Sequence, residues 1–590
     1  MNHRRIILGA VLFTVAFPLL NSRAQERRID SDAPMMESNV AVPMRDGVIL
    51  RADIFRPAKP GKYPVLMMRT PYNKNGGHGA AKRFARAGYI VVCQDARGRF
   101  ASDGKWESFV RFNTNDGRDG YDTVEWCAKL PGSTGRVGTF GKSYNAFLQW
   151  RTAALEPPSL VCMSAQSIPA RYTDLEGPGS IKPGRRLQWW YGSMTPDMRR
   201  RSGAPGSKSN ADGRSAWAAE SDKWLHFLPW LNLPRSFWEE ESDAVRSWLK
   251  DPSLDPWALQ KDVPKVAVPN LDVIGWFDHC NGNMMLDKAM FSEAKTEVAR
   301  KKSRVIIGPW SHVGAGGRKV GNIDFGPNAA VTVTAEELRW FDYWLKGKEN
   351  GVADESPVRI FVMGDQQWRN EAAWPLARAK MKSLFLDSGG MANTPAGDGR
   401  IVEVNPSAES ADQYNYDPAD PVPTLYAKAA FTVPADQKPL AERRDILVYK
   451  SEPMTRRLEV TGNPVVELFA ATSAPDTDFF VRLIDVHPDG EAIDVSLGMI
   501  RARYRNGLDH VDLVNPGEIL KYQITMNPTS IAFLPGHRIR LDITSSDFPN
   551  FDRNHNTAAN PNADAELVVA KQKIFHGGKH GTVLHLPVVE

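Results

Sequence analysis

The chain has 590 residues, more than one ordinary hydrophobic core can serve, so two to four domains are expected. Hydrophobic residues make up 42% and charged residues 24%, the balance of a globular chain rather than a disordered one. A formal charge of +5 on this length gives no argument for nucleic acid as a partner.

Residues 1–24 read as a signal peptide. Arg4 and Arg5 precede an apolar run over 6–20, and Ser22 and Ala24 place small residues where a signal peptidase cuts. The apolar run is short for a membrane span, although an uncleaved anchor is the competing reading. Cleavage would remove Arg4, Arg5 and Arg23 and no acidic residue, taking the charge from +5 to +2. A periplasmic or secreted location follows, with no stable membrane insertion after cleavage.

Next, "VPMRDGVILRADIFRP" predicts a hairpin turning at Asp46-Gly47. Short apolar runs then alternate with helical patterns. "YPVLMMRT" leads to a helix over 80–87, "YIVVCQDARG" to one over 121–129, and "RVGTFGKS" to one ending near 155, before "SLVCMSAQ". Such alternation predicts an α/β domain with a parallel sheet covered on both faces, its first part spanning 35–168. Residues 169–263 break the rhythm and hold eight of the 17 tryptophans, so they are read as a helical cap inserted in the sheet domain. The sheet domain resumes over 264–350 with "VPNLDVIGWFD", "SRVIIGPWSH" and a closing helix in "AEELRWFDYWLKG". From 351 to 590 short runs divided by Gly, Pro, Asn and Asp predict an all-β sandwich or jelly roll.

Function in an open α/β sheet collects at the carboxyl ends of strands. Ser143 ends "RVGTFGK", Asp278 ends "LDVIGWF" and His312 follows "RVIIGPWS". A serine hydroxyl needs a histidine to take its proton, and a carboxylate must fix that imidazole. The order Ser, Asp, His is that of α/β-hydrolase triads. Each residue has a plainer reading. Ser143 can start a helix as its N-cap, Asp278 can cap the helix that follows it, and His279 competes with His312. Asp95 and Arg97 are read as a structural ion pair, and Arg199-Arg200-Arg201 as a solvated loop. Cys93, Cys127, Cys162 and Cys280 show no metal-ligand spacing, and no cofactor fingerprint occurs, so neither metal nor cofactor is expected.

"RTPYNK", "DARGRFASDGKW", "GKSYNAF", "GWFDHC", "GPWSH", "WFDYWLKGKENGV" and "SSDFPNFDRN" occur in the order seen in the CocE/NonD hydrolases, and the chain resembles that family over nearly its whole length. The resemblance implies an α/β-hydrolase fold with an inserted helical cap and a C-terminal jelly roll. It implies Ser143, Asp278 and His312 as the triad, with the Tyr72 hydroxyl and the Tyr144 backbone N–H as the oxyanion hole. The implied partner is a small-molecule ester or amide, the oligomeric state being open to a homo-oligomer. Two departures stand out. Ala146 replaces the last glycine of the elbow motif, and His279, Cys280 and Asn281 stand where amino-ester hydrolases carry carboxylates. Neutral, bulky or aromatic acyl groups are therefore expected over α-amino acyl groups or free N-termini. Should amino esters prevail, Asp174 or Glu176 is the expected acidic contact. The reading from another class is a non-catalytic export protein that binds a ligand through its jelly roll.

Overall fold

The computed structural model describes residues 33–171, 181–280, 284–425 and 434–590. The signal peptide, Asp174, Glu176 and Asn281 lie outside the described residues.

Strands β1 (Met35–Pro43) and β2 (Ile49–Arg56) form the expected antiparallel hairpin. Its turn depends on Gly47 at φ 83°, a backbone that side-chain-bearing residues adopt at a cost. The chain then alternates through β3 (Tyr63–Thr70), α1 (His78–Arg86), β4 (Ile90–Asp95), α2 (Asp116–Ala128), β5 (Ser133–Lys142), α3 (Tyr144–Ala153) and β6 (Leu160–Gln166). These strands lie in the order β1-β2-β4-β3-β5-β6, with β3, β4, β5 and β6 parallel. After the cap, β7 (Leu271–Phe277) and β8 (Arg304–Ser311) pair in parallel. Every residue of β4, β7 and β8 is buried, the signature of a sheet covered on both faces. A short hairpin, β9 (Lys319–Val320) and β10 (Ile323–Asp324), precedes the closing helix Val333–Lys346.

That helix returns the chain to the sheet. Strand β11 (Val358–Val362) pairs in parallel with β8, and β12 (Gln367–Glu371) is antiparallel at the edge. The run "SPVRIFVMGD", read from sequence as part of the β module beginning at 351, thus extends the α/β sheet. Its apolar residues are buried almost continuously, as a strand beside β8 requires, instead of alternating.

The sheet is built in two halves that meet between β6 and β7. Main-chain pairing there is confined to one bridge, Met163 with Asn270. Side chains supply the rest. Asn270 Oδ1 accepts the Ala165 N–H at 2.8 Å while its Nδ2 donates to the Ala165 carbonyl at 3.2 Å. Asp272 Oδ1 accepts the Ser167 N–H at 2.9 Å, and the Ser167 hydroxyl donates to the Val273 carbonyl at 3.0 Å.

The cap holds the helices Thr195–Ser202, Asn210–Leu225 and Ser242–Lys250, with a π-helical turn at Trp190–Met194. Trp190, Trp217, Trp224, Trp230, Trp238, Trp248 and Trp257 are buried, and their large rings give this insert its core. Arg199 to Arg201 are helical and paired, not a solvated loop. Arg199 binds Glu239 at 2.8 Å and Arg200 binds Asp197 at 2.8 Å. The β module follows from Lys380 to Val589, and its core runs into one face of β7, β8 and β11 through Ile274, Ile307 and Ile360. All four cysteines are buried and unbridged.

Replacing Asn270 by Ala leaves the N–H and C=O of Ala165 unpaired in a dry interior, a cost of about 1–3 kcal/mol. Asn270→Ala is expected to lower the thermal midpoint measurably and to reduce kcat more than it changes KM, because it loosens the two halves against each other. A variant with wild-type melting and turnover would show that the seam carries no load.

Candidate active site

Strand β5 ends at Lys142, and Ser143 follows with φ 61° and ψ −128°, outside the basins that side-chain-bearing residues prefer. Gly141, at φ 139°, makes the turn possible, since a Cβ there would lie 2.7 Å from the Asn145 Cβ. The Ser143 side chain accepts no capping bond from α3, which disposes of the N-cap reading. The strained backbone is braced instead. Ser143 N–H donates to the Gln166 carbonyl at 2.9 Å, and Gln149 Nε2 donates to the carbonyls of Gly141 at 3.1 Å and Asn145 at 3.2 Å. Ala146 is fully buried under the turn, where its methyl group is accommodated.

Asp278 follows β7 and His312 follows β8, so adjacent parallel strands deliver both side chains at the same sheet edge as Ser143. His312 Nδ1 lies 2.8 Å and 3.1 Å from the two Asp278 carboxylate oxygens. Among the described residues, Asp278 Oδ1 also accepts the Cys280 N–H at 2.8 Å, and the helix start near Gly282 lies outside them. His279, the competing histidine, keeps its Nδ1 3.8 Å from Asp278 and packs its ring on His312 at 4.3 Å. Asp272, mid-strand in β7, serves the seam.

Burial alone would raise the Asp278 carboxyl, but His312, Lys142 at 3.8 Å and the Cys280 amide hold it down to about 2. Burial pushes His312 below its ordinary value; Asp278 opposes this, while Lys142 and Arg185 add to it. At neutral pH the imidazole is therefore uncharged beside an ionised aspartate. That carboxylate can only accept, so Nδ1 carries the proton and Nε2 presents a lone pair. Burial, with Arg185 and His312, drives His279 well below its usual range, so it too is uncharged.

Tyr72 lies just beyond β3, and its hydroxyl oxygen accepts a bond from Trp189 Nε1 at 3.0 Å. An indole N–H only donates, so this contact leaves the Tyr72 proton free to donate elsewhere. Tyr144 is the first residue of α3, and its backbone N–H has no acceptor within the helix. Its side chain is buried between Phe109, Phe147 and Trp189 and forms floor, not chemistry.

Ser143, Tyr72 and His312 share the wall of one cavity of about 530 Å³. Phe109, Phe147, Trp189 and Trp257 give it an aromatic side, and Arg185, Arg186 and Arg214 a cationic one. Among the described residues the wall includes no carboxylate. Asp95 and Arg97 are not partners. Asp95 binds Lys74 at 3.3 Å and Arg97 binds Asp119 at 2.6 Å, because the loop after β4 turns their side chains apart. Gln149 and Lys142 are not singled out by the sequence reading, and Trp189 enters it only as one of the insert's eight tryptophans. Only Lys142 was recoverable, as the cation next to the serine.

An elbow serine and an aspartate-bound histidine above one sheet edge define an α/β-hydrolase of the serine class. Residues 46–314 match the X-Pro dipeptidyl-peptidase (S15 family) model, and residues 350–585 that of the X-Pro dipeptidyl-peptidase C-terminal non-catalytic domain. Cocaine esterase of a Rhodococcus species is 34% identical, covering 94% of this chain and 98% of its own length. A putative serine esterase of Mycobacterium bovis is 26% identical over 94% of this chain and 96% of its own. In fold, the chain is similar to an α-amino acid ester hydrolase, with TM-score 0.73 and 24% identity over 97% of this chain and 100% of that one. It is similar likewise to an aminopeptidase of a marine sediment Thaumarchaeota archaeon, with TM-score 0.77 and 24% identity over 95% and 97%. The chain belongs to the CocE/NonD family and is a serine hydrolase acting on esters or amides.

A general base must be neutral to work, and burial keeps His312 neutral to lower pH than a free imidazole. The acid limb of kcat/KM is therefore expected to have its midpoint below about 6.5, with activity lost as pH falls through it. A pH–rate profile on an ester with a non-ionising leaving group checks this. A midpoint above 7 would contradict the environment described.

Proposed function

We propose that Ser143, His312 and Asp278 cleave the substrate through an acyl-enzyme. The observation that carries this is the strained, uncapped Ser143 in one cavity wall with an aspartate-bound His312. Ser143 Oγ attacks the carbonyl carbon as His312 Nε2 takes its proton, and the Tyr72 hydroxyl and Tyr144 N–H receive the oxyanion. Collapse expels the leaving group with the proton from His312, and water repeats the sequence to release the acid. The N-terminal pattern supports export ahead of this activity.

Ser143→Ala is expected to cut kcat by roughly 10⁴-fold or more and to abolish labelling by a fluorophosphonate. Tyr72→Phe, which removes one oxyanion donor, is expected to cost about 10²–10³-fold in kcat with a smaller change in KM. The labelled wild-type band should appear outside the cytoplasm and begin at Gln25. Labelling that survives Ser143→Ala would sink the assignment, as would a Tyr72→Phe effect confined to KM.

For the acyl group, aromatic walls favour bulky apolar rings, and three arginines disfavour an ammonium. Arg214 also borders an outer groove that holds Lys74, Arg200 and Lys208 together with Asp95. The expected ranking in kcat/KM is a benzoyl or phenylacetyl ester above the matching phenylglycine ester. A tenfold preference for the amino ester would reverse this reading and direct attention to Asp174 and Glu176.

A further inference from the structure

The β module carries a second cluster of imidazole and carboxylate, remote in sequence from the triad. Strands Asp478–Val486 and Arg538–Thr544 are antiparallel, with Asp485 opposite Ile539 and Val486 opposite Arg538. One step further along the same register, His487 faces His537. Residues two apart on a strand share a face, so Asp485 and His487 project together and His537 meets them from across the pair.

The distances fit one ion. Asp485 oxygens lie 2.9 and 3.0 Å from His537 Nδ1, and Asp485 Oδ2 lies 3.4 Å from His487 Nε2. One donor atom from each of the three residues falls within 4.8 Å of the others. Two donors bound at about 2.1 Å to the same zinc are about 3.0 Å apart at a right angle and about 3.4 Å at a tetrahedral angle. The imidazole rings are tilted at 46° with centroids 4.6 Å apart.

The backbone holds this arrangement in place. His487 N–H donates to the Glu491 carbonyl at 2.8 Å, Gly490 N–H to the His487 carbonyl at 2.9 Å, and His537 N–H to the Leu534 carbonyl at 3.0 Å. The same turn brings Glu491 Oε2 within 3.3 Å of His487 Nδ1. A carboxylate on the far nitrogen of a histidine fixes the tautomer that presents the other nitrogen, which is the usual support of a metal-bound imidazole. Asp485 is buried, while the side chains of His487 and His537 are 32% and 14% exposed, so an ion can reach the site and keep a water.

We propose that Asp485, His487 and His537 bind one divalent transition ion of the zinc class, with Glu491 orienting His487 and water completing the shell. Imidazole with a single carboxylate suits zinc better than calcium or magnesium, which take oxygen. The ion would pin the ends of two adjacent strands of the β module.

The test uses the full chain, freed of metal with EDTA and titrated with ZnCl₂ by calorimetry, while ester hydrolysis is followed in the same samples. One equivalent should bind, with affinity lost at least hundredfold in His487→Ala and in His537→Ala. Glu491→Gln should weaken it about 10–100-fold. Hydrolysis by the three variants should stay at the wild-type rate. Zinc bound instead at Asp278 and His312 would inhibit hydrolysis and would be untouched by these substitutions. Absence of saturable binding, or wild-type affinity in any of the three variants, overturns the proposal. Should either alanine variant fail to fold, Glu491→Gln, at a 43% exposed side chain, still decides it.

Discussion

Two hydrogen bonds between the Asn270 side chain and the backbone of Ala165 hold the two halves of this hydrolase sheet in register. Ser143 belongs to the half ending in β6, while Asp278 and His312 belong to the half beginning with β7. An ordinary ladder between β6 and β7 would have spread the load over many backbone pairs. Here a side-chain amide imitates a peptide group, and Asp272 does the same one step on at Ser167. Misplacing a catalytic group by about 1 Å can cost 10²-fold in rate, so small slippage at this seam is a catalytic matter before it is a stability matter. The closing helix adds to the clamp, since Trp340 Nε1 donates to the Met163 carbonyl at 2.9 Å.

On the serine side the problem is strain. A residue held at φ 61° and ψ −128° costs on the order of 1–3 kcal/mol, and only surroundings that over-determine it can keep it there. Gln149 is the main device. Placed one helical turn beyond Asn145, its amide reaches back to two carbonyls of the turn. The strain keeps the hydroxyl away from the α3 amides it would otherwise cap, and so leaves it in the cavity.

Periodicity and strand ends made the sheet, the cap and the β module legible, because burial on one face leaves a period that the residues must obey. Ser143, Asp278 and His312 were legible for the same reason: each closes an apolar run in a known chain order. Contacts that depend on where a loop turns were not. Asp95 and Arg97 are two residues apart and opposite in charge, yet each finds its partner elsewhere, Lys74 and Asp119. Arg199 to Arg201 read as a solvated run, since nothing local reveals that Glu239 folds back to meet Arg199, although the i,i+3 pair of Asp197 with Arg200 was there to be read. Strand β11, read with the β module, pairs with β8, a pairing the sequence does not reveal because a buried parallel strand and a sandwich strand have the same composition.

The β module has a part in the site although it lines none of the cavity. Its loop at Pro549 and Asn550 grips the start of the cap: Gly184 N–H donates to the Asn550 carbonyl at 2.9 Å, and Asp552 N–H to the Lys182 carbonyl at 2.6 Å. Contact is so close that a Cβ on Gly184 would lie 2.0 Å from the Pro549 oxygen. The loop is itself anchored in the module, where Arg501 Nη2 donates to Asp552 at 2.9 Å in a buried setting. Arg185, Arg186 and Trp189 follow Gly184 directly, so the grip fixes the arginine wall and the indole together. Trp189 in turn donates to the oxygen of Tyr72 at 3.0 Å. A chain of short contacts thus runs from a buried ion pair in the β module to the Tyr72 hydroxyl in the cavity wall. The cap, which has no sheet of its own among the described residues, takes part of its position over the serine from the β module.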